Sequence, residues 1–473
     1  MGSAARPRSE RSAGQGGDAC LPEDSVVVVN PAPGRSRMRC GVAPSFFERW
    51  SAMDDLLIKA GRLFDGQAEA AVARGFVHVR AGRIAALGRQ AELGAEQGRF
   101  ARVIDLGAEA TLLPGLINMH VHMSCNPTDS MYADIMADSP ERLMLRAVTN
   151  LQEALRAGVT TVRDCGTRNS VAFACRQAVR EGLLDAPRVV ASGDGITTTG
   201  GHCHFFCHEA DSVEDVLRAV RAQRKAGADF IKVFATGGRL TPNTNIFAAQ
   251  FTEAEMRAAG EEARRLGLRM ASHALGTPGI ETSVAARVTS IEHCAFLRPE
   301  GVCYEPALAG RIAEAGIAVC PTIYQGIGKY AADPGFAPTP AQQAFYDSRQ
   351  QRYETVQALV KQGVRIIAGS DAGVPHVRFG DFPGDVVTMG TGTGLPAAYV
   401  LKTATAFAAE TLGLAGETGT LAPGLSADVL GVQGDPLADL SALTRPLLVV
   451  ARGWVVNDRF TLVGCGAAVA GMR

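Results

Sequence analysis

Between residues 114 and 417 the chain alternates short apolar segments with longer amphipathic ones, and this repeated alternation restricts its fold more than any other feature. The apolar segments read as strands at Gly115–His122, Thr160–Gly166, Arg188–Gly193, Phe230–Thr236, Arg269–Ala274, Ser290–Cys294, Ile317–Thr322 and Arg365–Gly373. Between and after them the helical period appears at Pro140–Ala157, Val171–Leu184, Val213–Ala226, Glu253–Leu266, Thr277–Ala286, Glu305–Ala315, Ala341–Gln362 and Ala397–Leu414. Many of these helices run into glycine, as at Gly158, Gly227, Gly267, Gly316 and Gly363, the residue best suited to close a helix. The fold class expected is therefore α/β, with eight strand and helix pairs forming a (β/α)8 TIM barrel. An open doubly wound sheet also alternates, but the first strand lacks the G-x-G-x-x-G turn into a helix.

The two ends have a different texture. Short β-type segments occupy Leu56–Phe64, Gly75–Leu87 and Arg102–Leu106, and the same texture returns at Ala427–Gln433, Leu447–Val456 and Phe460–Val463. Neither group has enough strands to bury a face alone. One small β-sandwich domain built from both chain ends, residues 53–113 plus 418–465, is the expectation, beside a barrel over 114–417. Residues 1–52, rich in Ser, Arg, Gly, Ala and Pro, read as a disordered extension. Met53, at the start of the first strand, suggests that the extension reflects an over-long reading frame; N-terminal sequencing of the native protein that found Gly2 or Ser3 would refute this.

Lys and Arg number 47 against 48 Asp and Glu, so no strong field draws the chain to nucleic acid or to an anionic membrane. A small-molecule substrate is the expected partner, and a homo-oligomer is allowed. The 11 cysteines are odd in number and scattered, which argues against a disulfide framework. No apolar run approaches the roughly 20 residues of a membrane helix, and no apolar signal core follows the N-terminus, so the cytoplasm is the expected location.

In a barrel, functional side chains sit where strands end. His120 and His122 close the first strand two residues apart, so both imidazoles share one side of it. Alone, such a pair is as readily structural as metal-binding. His273 ends the fifth strand in RMASHA, His293 the sixth in SIEHC, and Asp371 the eighth in RIIAGSDAG. Singly these too have bland readings, as hydrogen-bonded histidines and a turn-forming aspartate, but together they put four histidines and a carboxylate at one rim. Lys232 ends the fourth strand in FIKVFATGG on the side shared by Phe230 and Phe234. An ammonium facing metal ions would be repelled, so it reads either as salt-bridged to a rim carboxylate or, beside these histidines, as a CO2-derived carbamate bridging two metals.

The segments LLPGLINMHVHM, FIKVFATGG and GSDAG, the strand-end histidines and the closing TATAFAAETLGLAGETGTLAPGLSADVLGVQGDPL resemble the metal-dependent amidohydrolase superfamily, in its imidazolonepropionase-like and prolidase-like (Xaa-Pro dipeptidase-like) branch, over residues 53–465. The resemblance implies His120, His122 and Asp371 on a first metal, His273 and His293 on a second, and carboxylated Lys232 as the bridge. It implies two divalent ions, with one allowed and zinc first, while manganese, cobalt or nickel can substitute. The implied chemistry is hydrolysis of an amide-like C–N bond by a metal-bound hydroxide, with Asp371 shuttling the proton to the leaving nitrogen.

A second cluster, ITTTGGHCHFFCHEA, follows the third strand. By the same resemblance His202 stabilises the oxyanion and contacts substrate, against the bland reading of a loop histidine. Cys203 and Cys207 with neighbouring histidines allow a separate structural zinc, although their spacing fits zinc poorly without a second pair. Arg239 and Tyr324, with Asn243 and Asn245, are candidate substrate contacts that could equally be solvated loop residues. Leu275 stands where prolidase-like relatives often carry an aromatic residue, so the expected substrate, a dipeptide or N-acyl amino acid, leaves ureas, carbamates and imidazolone rings as alternatives, and a non-catalytic binding protein as a further one. His78 has no assigned role, and His376 could only line the pocket.

Overall fold

The structure is a computed structural model that describes residues 55–93, 100–323, 343 and 347–458; the proposed extension over residues 1–52 and the candidate strand Phe460–Val463 lie outside the described residues. Three strands, β1 (Leu116–Val121), β2 (Val159–Asp164) and β3 (Arg188–Ala191), pair in parallel in that order. A second parallel run contains β4 (Phe230–Phe234), β5 (Arg269–Gly276), β6 (Ser290–Arg298) and β7 (Ala318–Cys320). Beyond β3 the chain pairs with β4 at Ile196↔Val233, and Asp229 N donates to Ala191 O at 2.8 Å. On the far side, residues 365–372 link β7 to β1: Ile367 N donates to Val319 O at 2.9 Å, Met119 N to Ala368 O at 3.0 Å and His122 N to Ala372 O at 2.8 Å.

That last segment makes only isolated bridges, Val319↔Ile366 and Val121↔Ala372, rather than the regular eighth strand expected. The reason is crowding. A Cβ at Gly369 would lie 2.5 Å from Cys320 Sγ and 2.9 Å from His120 Cβ, and Asp371 turns to φ +66°, so the backbone leaves the pleat as it closes on β1.

Helices α1 (Pro140–Arg156), α2 (Val171–Arg180), α3 (Val213–Ala226), α4 (Glu253–Arg265), α5 (Thr277–Ala285), α6 (Pro306–Glu314) and α7 (Arg349–Lys361) follow β1 to β7 in turn. Their starts are written locally. Ser139 accepts from Arg142 N ahead of Pro140, Ser212 accepts from Asp215 N, and Thr252 with Glu255 forms a reciprocal capping box. On α1 the buried residues Leu143, Ala147, Leu151, Ala154 and Leu155 recur at helical spacing and join Val121 and Val162 in the main core. Two local expectations fail. The helix expected over 397–414 is two, Ala397–Thr403 and Ala406–Leu412, broken where Thr405 takes φ −140° and ψ −97°. Phe382–Thr393 is a helix whose sequence, FPGDVVTMGTGT, carries too little polar contrast to show a period.

Strands from both ends of the described chain share one sheet. Val429–Gln433 pairs antiparallel with Ala110–Pro114 on one edge and with Pro446–Ala451 on the other. The expected strand Leu56–Phe64 is split, because Leu56–Lys59 pairs with Gly75–Arg80 and Arg102–Asp105 while Arg62–Leu63 pairs with Ala110–Pro114. Gly61 permits the break, since a Cβ there would sit 1.7 Å from Ala108 O. Leu56, Ile58, Val77 and Val79 of one sheet bury a common cluster with Leu112, Val429, Leu448 and Val450 of the other. Asp428 ties this region to β3: its Oδ2 accepts from Arg188 Nη1 at 3.0 Å and Thr418 Oγ1 at 2.8 Å, and its Oδ1 from Arg452 N at 2.8 Å.

Candidate active site

At the end of β1 the two-residue period does what the sequence implies: His120 Nε2 and His122 Nε2 lie 3.4 and 3.3 Å from the same oxygen, Asp371 Oδ1. One ligand atom from each of these three buried residues falls within 4.8 Å of the others, close enough to share one ion. The rings continue as a chain across the strand ends. His120 and His293 have centroids 5.3 Å apart, His293 and His273 4.6 Å, and His273 and His202 4.7 Å. Lys232 rises from β4 among them, with its buried Nζ 5.0 Å from the Phe234 ring centroid and no hydrogen-bond partner among the described residues. Of the six residues expected to hold metal, His120, His122 and Asp371 bring their ligand atoms into one metal-capable group, whereas His273, His293 and Lys232 stand beside it and enter no such group among the described residues.

Each imidazole has one nitrogen already engaged. His120 Nδ1 meets Glu292 Oε2 at 2.9 Å, His122 Nδ1 meets Gly166 O at 3.1 Å, and His293 Nδ1 meets Thr322 Oγ1 at 2.6 Å. His273 uses the other nitrogen, Nε2, against Gly237 O at 3.2 Å. A carboxylate or carbonyl only accepts, so the engaged nitrogens of His120, His122 and His273 carry the proton and the opposite ones keep a lone pair. Burial, the largest influence, pushes His120 down to about 4 and holds His273 and His293 well below the ordinary histidine value. Burial alone would raise Asp371, but His120, His122 and His293 draw its carboxyl well below the usual range. Neutral imidazoles around an ionised carboxylate are the protonation states a metal requires.

The backbone here is strained. Asp371, His293, Cys294 and Thr322 have φ of +66°, +67°, +45° and +43°, and Thr322 is β-branched. Each such residue costs about 1–3 kcal/mol and persists only where packing enforces it, most often at functional sites.

His202 sits in the loop after β3, only 3% exposed. Its N–H donates to Gln250 Oε1 at 2.7 Å, and its Nδ1 lies 3.1 Å from Thr241 Oγ1. The Thr241 hydroxyl also accepts from Cys203 N at 2.8 Å, and on the other side of the ring His202 Nε2 lies 3.4 Å from Cys203 Sγ. Burial pushes His202 down to about 3, so the ring is neutral. Gly238 makes its seat, since a Cβ there would lie 2.1 Å from His202 Nε2.

Arg239 follows this glycine, and its guanidinium disfavours the charge of Arg352 on α7, which burial first and Arg239 next pull down to about 10. Arg352 lines a cleft with His293, Cys294, Ile323 and Thr355. Tyr324 lies outside the described residues. Cys203 and Cys207 enter no metal-capable group among the described residues, and burial holds both thiols well above the ordinary value. His78 is engaged 2.8 Å from Asp55 Oδ1, and His376 meets Asp129 Oδ1 at 2.9 Å. Glu292, Arg163, Thr322 and Arg352 were not anticipated as site residues. The available signal was a glutamate inside the apolar strand SIEHC.

The chain belongs to the amidohydrolase family, whose model matches residues 111–456. It is a hydrolase acting on carbon–nitrogen bonds of the amide type. The ochratoxinase of Aspergillus niger is 29% identical over 396 residues, covering 75% of this chain and 76% of that protein. Its crystal structure aligns over 86% of this chain and 96% of that chain, with a TM-score of 0.73 and 25% identity. A Xaa-Pro dipeptidase with methionine bound in its active site aligns over 85% of this chain and all of that chain, at a TM-score of 0.75 and 29% identity. A prolidase complexed with N-methylphosphonate-L-proline aligns over 85% and 100% of the two chains, at 0.73 and 26%.

Proposed function

We propose that this chain is a two-metal amidohydrolase that cleaves the amide bond of a dipeptide or N-acyl amino acid. The observation that carries the reading is the buried Lys232 Nζ, which has no hydrogen-bond partner among the described residues and lies close enough to His120, His202, His273 and His293 to disfavour their charged forms. A bare ammonium is a poor occupant of such a place, because a buried charge without a partner is costly and no carboxylate among the described residues hydrogen-bonds it. Once the ammonium has given up a proton, the free amine adds to CO2 and releases a second proton, so that the same side chain becomes a carbamate anion with two oxygens. The donor set then fits two divalent ions: His120, His122 and Asp371 would hold one, His273 and His293 the other, and the Lys232 carbamate both. Zinc is the first candidate for this mixture of nitrogen and oxygen donors. Bound there, the ions would supply Lewis acidity and a lowered pKa for water.

The chain's own residues then have definite tasks. Asp371, held ionised, accepts a proton from the attacking water and returns it to the leaving nitrogen. In the tautomer with its hydrogen on Nε2, with Thr241 donating to Nδ1, His202 donates to the carbonyl oxygen as negative charge grows on it. Arg239 and Arg352, whose charges disfavour one another, favour a substrate carrying an anionic group, as the free carboxylate of a dipeptide or N-acyl amino acid does. Relatives named Xaa-Pro dipeptidase and prolidase support the same class. The two runs of parallel strands, joined by the Asp229 N to Ala191 O bond on one side and by the isolated bridges of residues 365–372 on the other, support a closed (β/α)8 barrel over 114–417, and the cluster shared by the two outer sheets supports a β-sandwich built from both chain ends.

The test is a hydrolysis screen with zinc-loaded protein across Xaa-Pro and other dipeptides, N-acyl amino acids, ureas, carbamates and imidazolones. Turnover concentrated on substrates with a free carboxylate next to the cleaved amide is expected. Turnover confined to ureas or carbamates would overturn the substrate class and leave the hydrolase intact.

A further inference from the structure

We propose that Arg163 and Glu292 are positioning residues that make the His120–His122–Asp371 group the tighter of the two metal positions; this rests on the two-metal reading above. The two residues form a bracket behind His120. Glu292 Oε1 accepts from Arg163 Nη2 at 2.6 Å and from Ser290 Oγ at 2.6 Å, while Oε2 faces His120 Nδ1 at 2.9 Å. Arg163 is itself fixed: Nε donates to Met119 O at 2.6 Å, Nη1 donates to Ser290 Oγ at 2.8 Å, and the guanidinium lies 5.4 Å from the Phe230 ring centroid. The bracket therefore spans β1, β2, β4 and β6. With Oε1 taken by two donors, the carboxylate has one orientation in which it can accept from His120.

The other three ligand histidines lean on neutral groups: Gly166 O for His122, Gly237 O for His273 and Thr322 Oγ1 for His293. His120 alone among them has a charged partner, and a carboxylate bond is roughly twice as strong as a neutral one. An imidazole that donates to a carboxylate is the better electron donor at its far nitrogen and loses less orientation on binding a cation. That far nitrogen, His120 Nε2, faces Asp371. His120, Cys165 and Glu292 also place ligand-type atoms within 4.8 Å of one another, but this trio is support rather than a third metal position, because the Arg163 guanidinium occupies the carboxylate. The asymmetry predicts sequential loading, with the His120 position filled first and emptied last.

The experiment is a zinc titration of the metal-free protein in competition with a chromophoric chelator, comparing wild type with Glu292→Gln and Thr322→Val. Two affinity classes are expected in the wild type. Glu292→Gln should weaken the tight class by about 10- to 100-fold and leave the weak class in place. Thr322→Val, which strips His293 of its neutral partner, should weaken the weak class alone. Unchanged affinities in Glu292→Gln, or equal losses in both classes, would overturn the proposal. A wild type that binds no zinc would instead overturn the metal centre itself. If Glu292→Gln fails to fold by circular dichroism of the metal-free protein, Ser290→Ala decides: it removes one donor from Oε1 and keeps both charges. It must weaken the tight class selectively by several-fold, and an unchanged tight class there would refute the bracket.

Discussion

An alanine at position 238 would put its Cβ 2.1 Å from His202 Nε2, 2.3 Å from Cε1 and 2.4 Å from Cδ2, so one whole edge of the ring must move by more than an ångström. The glycine loop cannot easily retreat, because Gly238 N and O both bond the Thr244 hydroxyl, at 3.1 and 3.0 Å. The ring has to give way instead, breaking its contact with Thr241 and withdrawing its donor from the substrate oxygen. Losing one such donor costs about 2.7–4 kcal/mol of transition-state stabilisation, a fall of roughly 10²–10³ in kcat. Overpacking should lower stability by about 1–3 kcal/mol, far too little to explain that loss once the protein is folded and metal-loaded. The assay is kcat for the best substrate in wild type, Gly238→Ala, His202→Ala and the double variant, with metal content and Tm measured alongside. If Gly238 acts only through His202, the two losses must not multiply, and the double variant should equal His202→Ala within a few-fold. Near-normal turnover in Gly238→Ala, or fully multiplicative losses, would refute the reasoning.

Other perturbations separate the roles assigned here. Asp371→Asn, assayed with metal confirmed present, should lower kcat by roughly 10²–10⁴; full activity would remove Asp371 from proton transfer. Lys232→Met should lower the number of bound metals, yet leave the metal-free protein at least as heat-stable as the wild type, because a buried amine without a hydrogen-bond partner among the described residues disappears. A large fall in the metal-free Tm would mean that the lysine is structural. Burial alone would raise the Asp428 carboxyl, but Arg188, Arg452 and Thr418 hold it below the usual carboxylate value. Its contribution to stability is therefore present above the ordinary unfolded value near 4 and lost as pH falls through the lower folded value. Asp428→Asn should cost about 3–5 kcal/mol at pH 7, and chemical denaturation should show the gap to wild type narrowing below pH ~4; a gap independent of pH would contradict the sign.

The meeting of His120, His122 and Asp371 was legible because its signals are local. His120 and His122 obey the strand period, and a lysine in the apolar run FIKVF is conspicuous without a structure. Glu292 was harder. Strand alternation sends neighbours to opposite faces, but His293 and Cys294 take positive φ, so alternation gives no direction there and the glutamate's approach to His120 cannot be read. Arg163 looks like any strand-end charge until the fold brings β1, β2 and β6 together. Residues 365–372 read as a strand because their hydrophobicity is that of one, while the departure at Gly369 depends on Cys320 and His120, which are distant in sequence. The seat that Gly238 makes for His202 is likewise a long-range fact.

The central claim is that a carbamate on Lys232 joins two metals. Metal-free protein reconstituted with zinc and ¹³C-labelled bicarbonate, then examined by elemental analysis and carbon NMR, tests it directly. Two zinc ions per chain and a single labelled carbamate carbon, absent from Lys232→Met, are expected. A chain that binds zinc and hydrolyses its substrate with no labelled carbamate would contradict it.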